Sequence, residues 1–174
     1  SGGLHGVGLS IVNALSKWVK VEVRQKGKIY EIEFINGNPK QELKQTGNCD
    51  EKDTGTKITF LPDDAVFSDT VFDFDIIANR LRELAFLNPD LEITIEDERT
   101  EPHKEKRFLY EGGIKEFVQY LNKGKQVYNK EVVYMNKKAG DIVTEIALQW
   151  NDGFNESIFS FVNDINTVEH GTHY

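Results

Sequence analysis

Cysteine is nearly missing from this 174-residue chain: Cys49 is the single one, so no internal disulfide can form. No second cysteine or neighbouring histidine gives Cys49 a metal-ligand spacing, and this usage fits a reducing, cytoplasmic setting. A positive surplus is missing too. Lys and Arg number 21 against 29 Asp and Glu, for a net charge of −8. Without a basic face to neutralise a run of phosphates, direct DNA binding by this segment alone is not expected. Long apolar runs are also missing. The longest, such as Ile142–Val143 and Ile146–Leu148, fall far short of the roughly 20 residues that cross a bilayer, no secretory leader is visible, and no membrane partner is expected. What remains is 39% hydrophobic, enough for one ordinary core or two small ones.

Glycine, by contrast, is crowded at the start, with four in the first eight residues, SGGLHGVG. Gly3, Gly6 and Gly8 make G-x-x-G-x-G, which reverses the spacing of the dinucleotide fingerprint and follows no strand, so that reading fails. No Gly-Lys-Ser/Thr follows, which excludes a P-loop. A loop free to take positive φ, delivered onto a helix N-terminus, directs backbone N–H groups and the helix dipole at one spot where an anion binds. The alternative on spacing alone is a flexible loop that merely caps a helix.

Along the chain, Leu9, Ile11, Val12, Leu15 and Val19 predict a helical stripe after Gly8. Val19, Val21 and Val23 then alternate with charges, Gln25–Lys28 reads as a turn, and Tyr30, Ile32 and Phe34 alternate again: a hairpin. Asn36-Gly37-Asn38-Pro39 breaks it, a polar stretch runs to Asp53, and Thr54-Gly55-Thr56 leads into a strand with Ile58 and Phe60, closed at Pro62. Ile77, Leu81, Leu84 and Ala85 predict a helix over 73–88 with Arg80 and Arg82 turned to solvent or a partner subdomain, stopped by Asn88-Pro89. Leu91, Ile93 and Ile95 form a strand. The almost wholly polar run 96–107 is the best candidate for an exposed loop, and the domain break is placed near it. Ile114, Phe117, Val118 and Leu121 predict a further helix, followed by strands at 132–135, 142–150 and 157–162, the last two as a hairpin about an Asn151-Asp152-Gly153 turn.

Taken as a string, Ser1–Ser16 resembles the part of the GHKL ATPases that ends the ATP lid and begins the phosphate-binding helix. The resemblance is specific to the B subunits of DNA gyrase and topoisomerase IV. It continues through Thr54–Ile58, Leu81-Arg82-Glu83-Leu84-Ala85-Phe86-Leu87-Asn88, Tyr110-Glu111-Gly112-Gly113-Ile114-Lys115, Gln149–Gly153 and Gly171-Thr172-His173, and so spans nearly the whole chain. It implies an α+β chain. Residues 1–107 would be the C-terminal part of a GHKL (Bergerat) α/β sandwich, and 108–174 the start of a transducer (ribosomal S5 domain 2-like) α/β domain. Leu4, His5, Gly6, Val7 and Gly8 would supply main-chain contacts to the phosphates of ATP, with Gly2 and Gly3 in the lid. Thr56 would help to hold adenine together with an aspartate and a water.

The resemblance further implies that this aspartate, the glutamate that activates water and the asparagine that binds Mg2+ lie upstream of Ser1, and that a γ-phosphate lysine lies beyond Tyr174. The segment is thus expected to be an internal fragment, without catalytic or metal-ligating residues of its own and inactive alone. The whole enzyme would be an ATP-hydrolysing type IIA topoisomerase, its B-type ATPase region a homodimer, assembled with an A-type subunit into a heterotetramer that holds DNA. Other readings are another GHKL ATPase (a sensor kinase, a chaperone or a mismatch-repair ATPase) and a nucleotide-binding interaction module without turnover.

Several side chains carry plainer alternatives. His5 has no carboxylate near in sequence to orient it as a base, so the main-chain role is preferred. Thr56 read alone is an ordinary strand residue. His170 and His173 lack further ligands for a metal. Two positions depart from the family pattern. Gln25 stands where gyrases commonly carry an arginine that coumarin-type inhibitors contact, with Arg24 one residue off and so directed to the other face of a strand. His170 stands where the first glycine of Gly-Gly-Thr-His is usual.

Overall fold

The computed structural model describes residues 6–167. It divides into two compact units, one up to Val71 and one from Phe72 onward.

The first unit is a sheet entered through a short helix. Helix α1 (Gly8–Ala14) leads into strands β1 (Ser16–Gln25), β2 (Lys28–Ile35), β3 (Asn38–Pro39), β4 (Lys44–Asn48) and β5 (Gly55–Pro62). The order is β3-β2-β1-β5, with β4 also pairing with β2. The expected β1–β2 hairpin is present. Lys26 (φ 52°) and Gly27 (φ 73°) take the two positive-φ places of its turn, and Asn36 (φ 47°) and Gly37 (φ 79°) do the same between β2 and β3. One expectation is corrected. The α1 helix stops at Ala14, and Val19 belongs to β1, because the alternating β-branched run Val19-Val21-Val23 favours a strand. The polar stretch before Asp53 contains β4, which has no apolar alternation and is held by its pairing with β2.

Register sorts the side chains of this sheet. Val19, Val21 and Val23 lie opposite Phe34, Ile32 and Tyr30 on one side and Phe60, Ile58 and Thr56 on the other. Directly paired residues share a face, so these nine form one apolar face. The reverse face carries Trp18, Ile35 and Leu61 at one end and is otherwise mostly polar, laced by the ion pairs Lys20–Glu31 at 3.1 Å, Arg24–Glu22 at 3.0 Å and Lys40–Glu33 at 2.9 Å.

The second unit begins with α2 (Phe74–Leu87), whose N-cap Asp73 accepts a hydrogen bond from the Ile76 N–H at 2.9 Å. Strands β6 (Ile93–Asp97) and β7 (Lys104–Phe108), helix α3 (Gly113–Leu121), strands β8 (Val133–Ala139) and β9 (Ile142–Leu148), and the two-residue strands β10 (Phe161–Val162) and β11 (Ile165–Asn166) follow. The α2 core stripe is Phe74, Ala78 and Ala85 with Leu81, packed with Phe108, Ile93 and Ile95 of the β6–β7 hairpin. Ile77 and Leu84 are only half-buried.

The polar run 96–107 is therefore not a plain loop. Its second half is strand β7, and the boundary expected between 107 and 108 falls inside that strand. The charges of this run pair both locally and at a distance, Lys106 with Asp75 of α2 at 2.8 Å and Arg107 with Glu92 at 2.7 Å. Arg99 grips Asp97 with two 2.7 Å bonds, and His103 sits between Glu96 (2.8 Å) and Glu101 (3.1 Å), hydrogen bonds that raise its pKa. The hairpin expected between 142–150 and 157–162 is also corrected. β9 pairs with β8, from Val133↔Leu148 to Ala139↔Ile142, around Gly140 at φ 61°. A two-residue turn closes this pair locally, at less entropic cost than a longer loop. Asn151 instead ties the following turn to the end of α3, donating to Asn122 Oδ1 at 2.7 Å and accepting from the Gly153 N–H at 2.7 Å.

Gly113 explains the Gly-Gly pair ahead of α3. It is buried at φ 58°, and a Cβ there would meet Pro89 Cγ at 3.0 Å. Gly113→Ala is expected to lower stability by about 1–2 kcal/mol from the left-handed backbone alone, and by more if Pro89 cannot yield. A chemical-denaturation midpoint equal to wild type would refute this.

Candidate nucleotide site

The candidate site starts where the glycine loop becomes α1. Gly6 adopts φ 64°, which only glycine takes freely, and a Cβ added at either Gly6 or Gly8 meets nothing within 4 Å among the described residues. Packing thus does not require Gly8 to be glycine. The N-cap is Val7, without a side-chain cap, and no acidic residue occupies the first turn. Its leading N–H groups are left for solvent or a ligand, and the partial positive charge there is not offset. Val7, Leu9 and Ile11 are 48%, 66% and 51% exposed, so the first half of the helical stripe is not packed against the described residues.

The other end of α1 is firmly held. Asn13 Nδ2 donates to the Gly37 carbonyl at 3.1 Å, the Asp63 N–H donates to the Leu15 carbonyl at 3.0 Å, and the buried Ser16 hydroxyl donates to the Val12 carbonyl at 2.6 Å. Lys17 pairs with Asp64 at 2.7 Å; that hydrogen bond raises the lysine pKa and lowers the carboxyl's. A helix clamped at its C-terminal end presents its N-terminus in a fixed place. Asn13 was not legible in this role, because from sequence it is only a polar residue off the stripe. Its Oδ1 is buried without a hydrogen-bond partner.

Thr56 lies near the start of β5, opposite Val23, on the apolar face. It is exposed, and its hydroxyl has no partner among the described residues. Beside it on the face, Ile58 and Phe60 remain 37% and 40% exposed, a surface suited to the flat face of a heteroaromatic ring. Val23 is seven residues along β1 from Ser16, about 23 Å at the usual strand rise. Thr56 and the junction of α1 with the sheet are thus at opposite ends of β1, within one unit.

Arg24, one residue beyond Val23, is on the polar face. It bonds Glu22 and Asp53 at 3.0 and 3.3 Å, and its hydrogen bond to Glu22 raises its pKa. Gln25 is exposed at the end of the strand. Gly3, Leu4 and His5, like His170, Gly171, Thr172 and His173, lie outside the described residues. Among the described residues no group of three or more His, Cys, Asp or Glu is placed to hold a metal ion, and no helix is long and apolar enough to cross a membrane.

An uncapped helix N-terminus behind two glycines suits an anion, and a half-exposed apolar sheet face bearing a hydroxyl suits a flat ring; both belong to the first unit. The fold carrying them is a known one. It matches the 43K ATPase domain of Thermus thermophilus gyrase B, solved in complex with an aminocoumarin, with a TM-score of 0.85 and 35% identity over 97% of this chain and 46% of that one. The DNA gyrase B family model matches residues 113–174. The chain is 48% identical to the DNA gyrase B protein of Treponema denticola and 47% identical to the DNA topoisomerase 4 B protein of Staphylococcus aureus, in each case over 99% of its length. It spans 27% and 26% of those relatives. The class is therefore a mixed α/β ATPase-domain fold. The chain belongs to the family of DNA gyrase and topoisomerase IV B subunits.

Proposed function

We propose that this chain is part of the ATP-binding region of a gyrase-like type IIA topoisomerase of the B type, which couples ATP binding and hydrolysis to DNA strand passage. The single observation that carries the reading is the uncapped α1 N-terminus behind Gly6 and Gly8, where an added Cβ meets nothing within 4 Å among the described residues, in a chain this similar to gyrase B proteins. Main-chain N–H groups of Gly3, Leu4, His5, Gly6, Val7 and Gly8 cradle the phosphates, where they stabilise negative charge without a side chain. The Thr56 hydroxyl hydrogen-bonds the adenine, whose ring lies against the apolar face. ATP supplies the phosphoryl chemistry. Mg2+, an activating carboxylate and an attacking water would complete the chemistry.

Residues 1–107 are assigned to the ATP-binding domain and 108–174 to the transducer, supported by the family match that starts at Gly113. The partners are a second B-type copy, an A-type subunit in a heterotetramer and DNA held by the whole enzyme, in the cytoplasm. The test is to purify the full-length protein with its A-type subunit and follow ATP turnover and plasmid topology together. ATP-dependent change in linking number is expected. Turnover with no change in topology would point to another GHKL ATPase, and binding with no turnover to an interaction module.

A further inference from the structure

Two arginines of α2 do not behave as surface arginines. Both Arg80 and Arg82 are half-buried, and both side chains end on segments far along the chain. Arg82 Cζ lies 5.1 Å from the ring centre of Phe108 and 5.3 Å from that of Tyr120, so one guanidinium serves two rings, while its Nη1 donates to Asn79 Oδ1 at 2.8 Å. Arg80 Nη2 donates to the Asp164 carbonyl at 3.1 Å, in the turn between β10 and β11, while its Nη1 is held by Glu83 at 2.6 Å. Beside them, Phe86 stacks on Tyr110 and Phe117 with ring centres 3.6 and 4.9 Å apart. The partners Phe108, Tyr110, Phe117, Tyr120 and Asp164 all lie beyond residue 107.

We propose that Arg82 and Arg80 are positioning residues that fasten α2 to the start of the transducer region, Arg82 at β7 and α3 and Arg80 at the β10–β11 turn. Displacements of α2 are thereby delivered to the residues that follow it. This inference rests on the function and the 107/108 assignment proposed above. The physical basis is the kind of bond each arginine makes. A planar guanidinium over two aromatic faces resists sliding and tilting of α3 against α2 in a way that apolar contact alone does not. The hydrogen bond from Arg80 to the Asp164 carbonyl, where Asp164 sits at φ 69°, fixes a second point well separated in sequence from the first. Two separated ties make a lever, and one would leave a pivot.

The test uses the full-length B-type protein with its A-type partner. In Arg82→Ala and in Arg80→Ala, nucleotide affinity and DNA-independent ATP turnover are expected to stay within about twofold of wild type, since neither residue belongs to the nucleotide site. Strand passage per ATP hydrolysed is expected to fall roughly 2- to 30-fold, the range over which residues between coupled sites change coupling. Arg82→Lys should restore part of it, keeping a cation near the rings while losing the planar fork of donors. Arg82→Met, which keeps an unbranched stem of similar length, stands in if the alanine variant does not fold. A merely structural role would lower turnover and passage in proportion, and that result, or wild-type passage per ATP in both variants, overturns the inference. A wild-type enzyme that neither hydrolyses ATP nor changes DNA topology would instead overturn the function proposed above.

Discussion

Phe86→Ala is expected to cost about 3–5 kcal/mol of stability, the usual range for truncating a core phenylalanine. Phe86 has 0% exposure, the least solvent contact of any large side chain described, and its ring meets Tyr110, Phe117 and Tyr120. It joins the last turn of α2 to α3, so its loss opens a cavity in contact with two helices, and neither can collapse into it without breaking the packing at Gly113 and Pro89. Against a typical total of about 5–15 kcal/mol, a loss of this size empties much of the folded population at ordinary temperature. Phe154 is the matched control, since it is 106% exposed and Phe154→Ala should change stability by less than about 0.5 kcal/mol. Denaturant midpoints of the two variants decide the matter. Equal midpoints would mean that Phe86 is not the joint described.

Gly8→Asp should separate folding from nucleotide binding. Among the described residues a Cβ at Gly8 meets nothing within 4 Å, and its φ is not in the positive range that other residues avoid, so none of them opposes a side chain there. An acid in the first turn opposes the helix dipole charge and contributes about 0.3–1 kcal/mol of stability. The same carboxylate sits where the phosphates are proposed to bind. Two unit charges at about 4 Å with an effective dielectric of 20 repel by about 4 kcal/mol, enough for at least a hundredfold loss of ATP affinity. The expected pattern is an unchanged or raised melting temperature with ATP binding lost. Calorimetric titration with an ATP analogue checks it, and wild-type affinity would remove the phosphates from the α1 N-terminus.

The parts of this architecture fixed by local chemistry were legible in advance. The β1–β2 hairpin follows from alternating valines and a Lys-Gly turn, α2 from Asp73 at its start and Asn88-Pro89 at its end, and α3 from its apolar spacing after two glycines. What was not legible depends on partners distant in sequence. β4 is a strand only because β2 offers it an edge, and its sequence Lys-Gln-Thr-Gly-Asn carries no sign of it. The pairing of β9 turned on a choice between two turns, Gly140-Asp141 and Asn151-Asp152-Gly153, which look equally good in sequence. The second is drawn away by the carboxamide bond from Asn151 to Asn122. Arg82 read as a solvent-facing residue or one that meets a partner subdomain, because a helical wheel shows charge but not the two rings that approach it. At the candidate site, glycine spacing points to the loop of Gly6 and Gly8, and the family resemblance alone assigns Val7 and Thr56. The clamp at Asn13 was missed, since its partner is a main-chain carbonyl in a turn 24 residues away.

The most direct measurement is an amide-resolved NMR titration of the intact ATPase region with a non-hydrolysable ATP analogue. The account predicts that the N–H resonances of Gly6, Val7 and Gly8 shift with the phosphates, that Thr56 shifts with the adenine, and that adenosine alone moves Thr56 but not the glycines. If the analogue binds while Gly6 to Gly8 stay where they were, the phosphates lie elsewhere and the reading of the glycine loop is wrong.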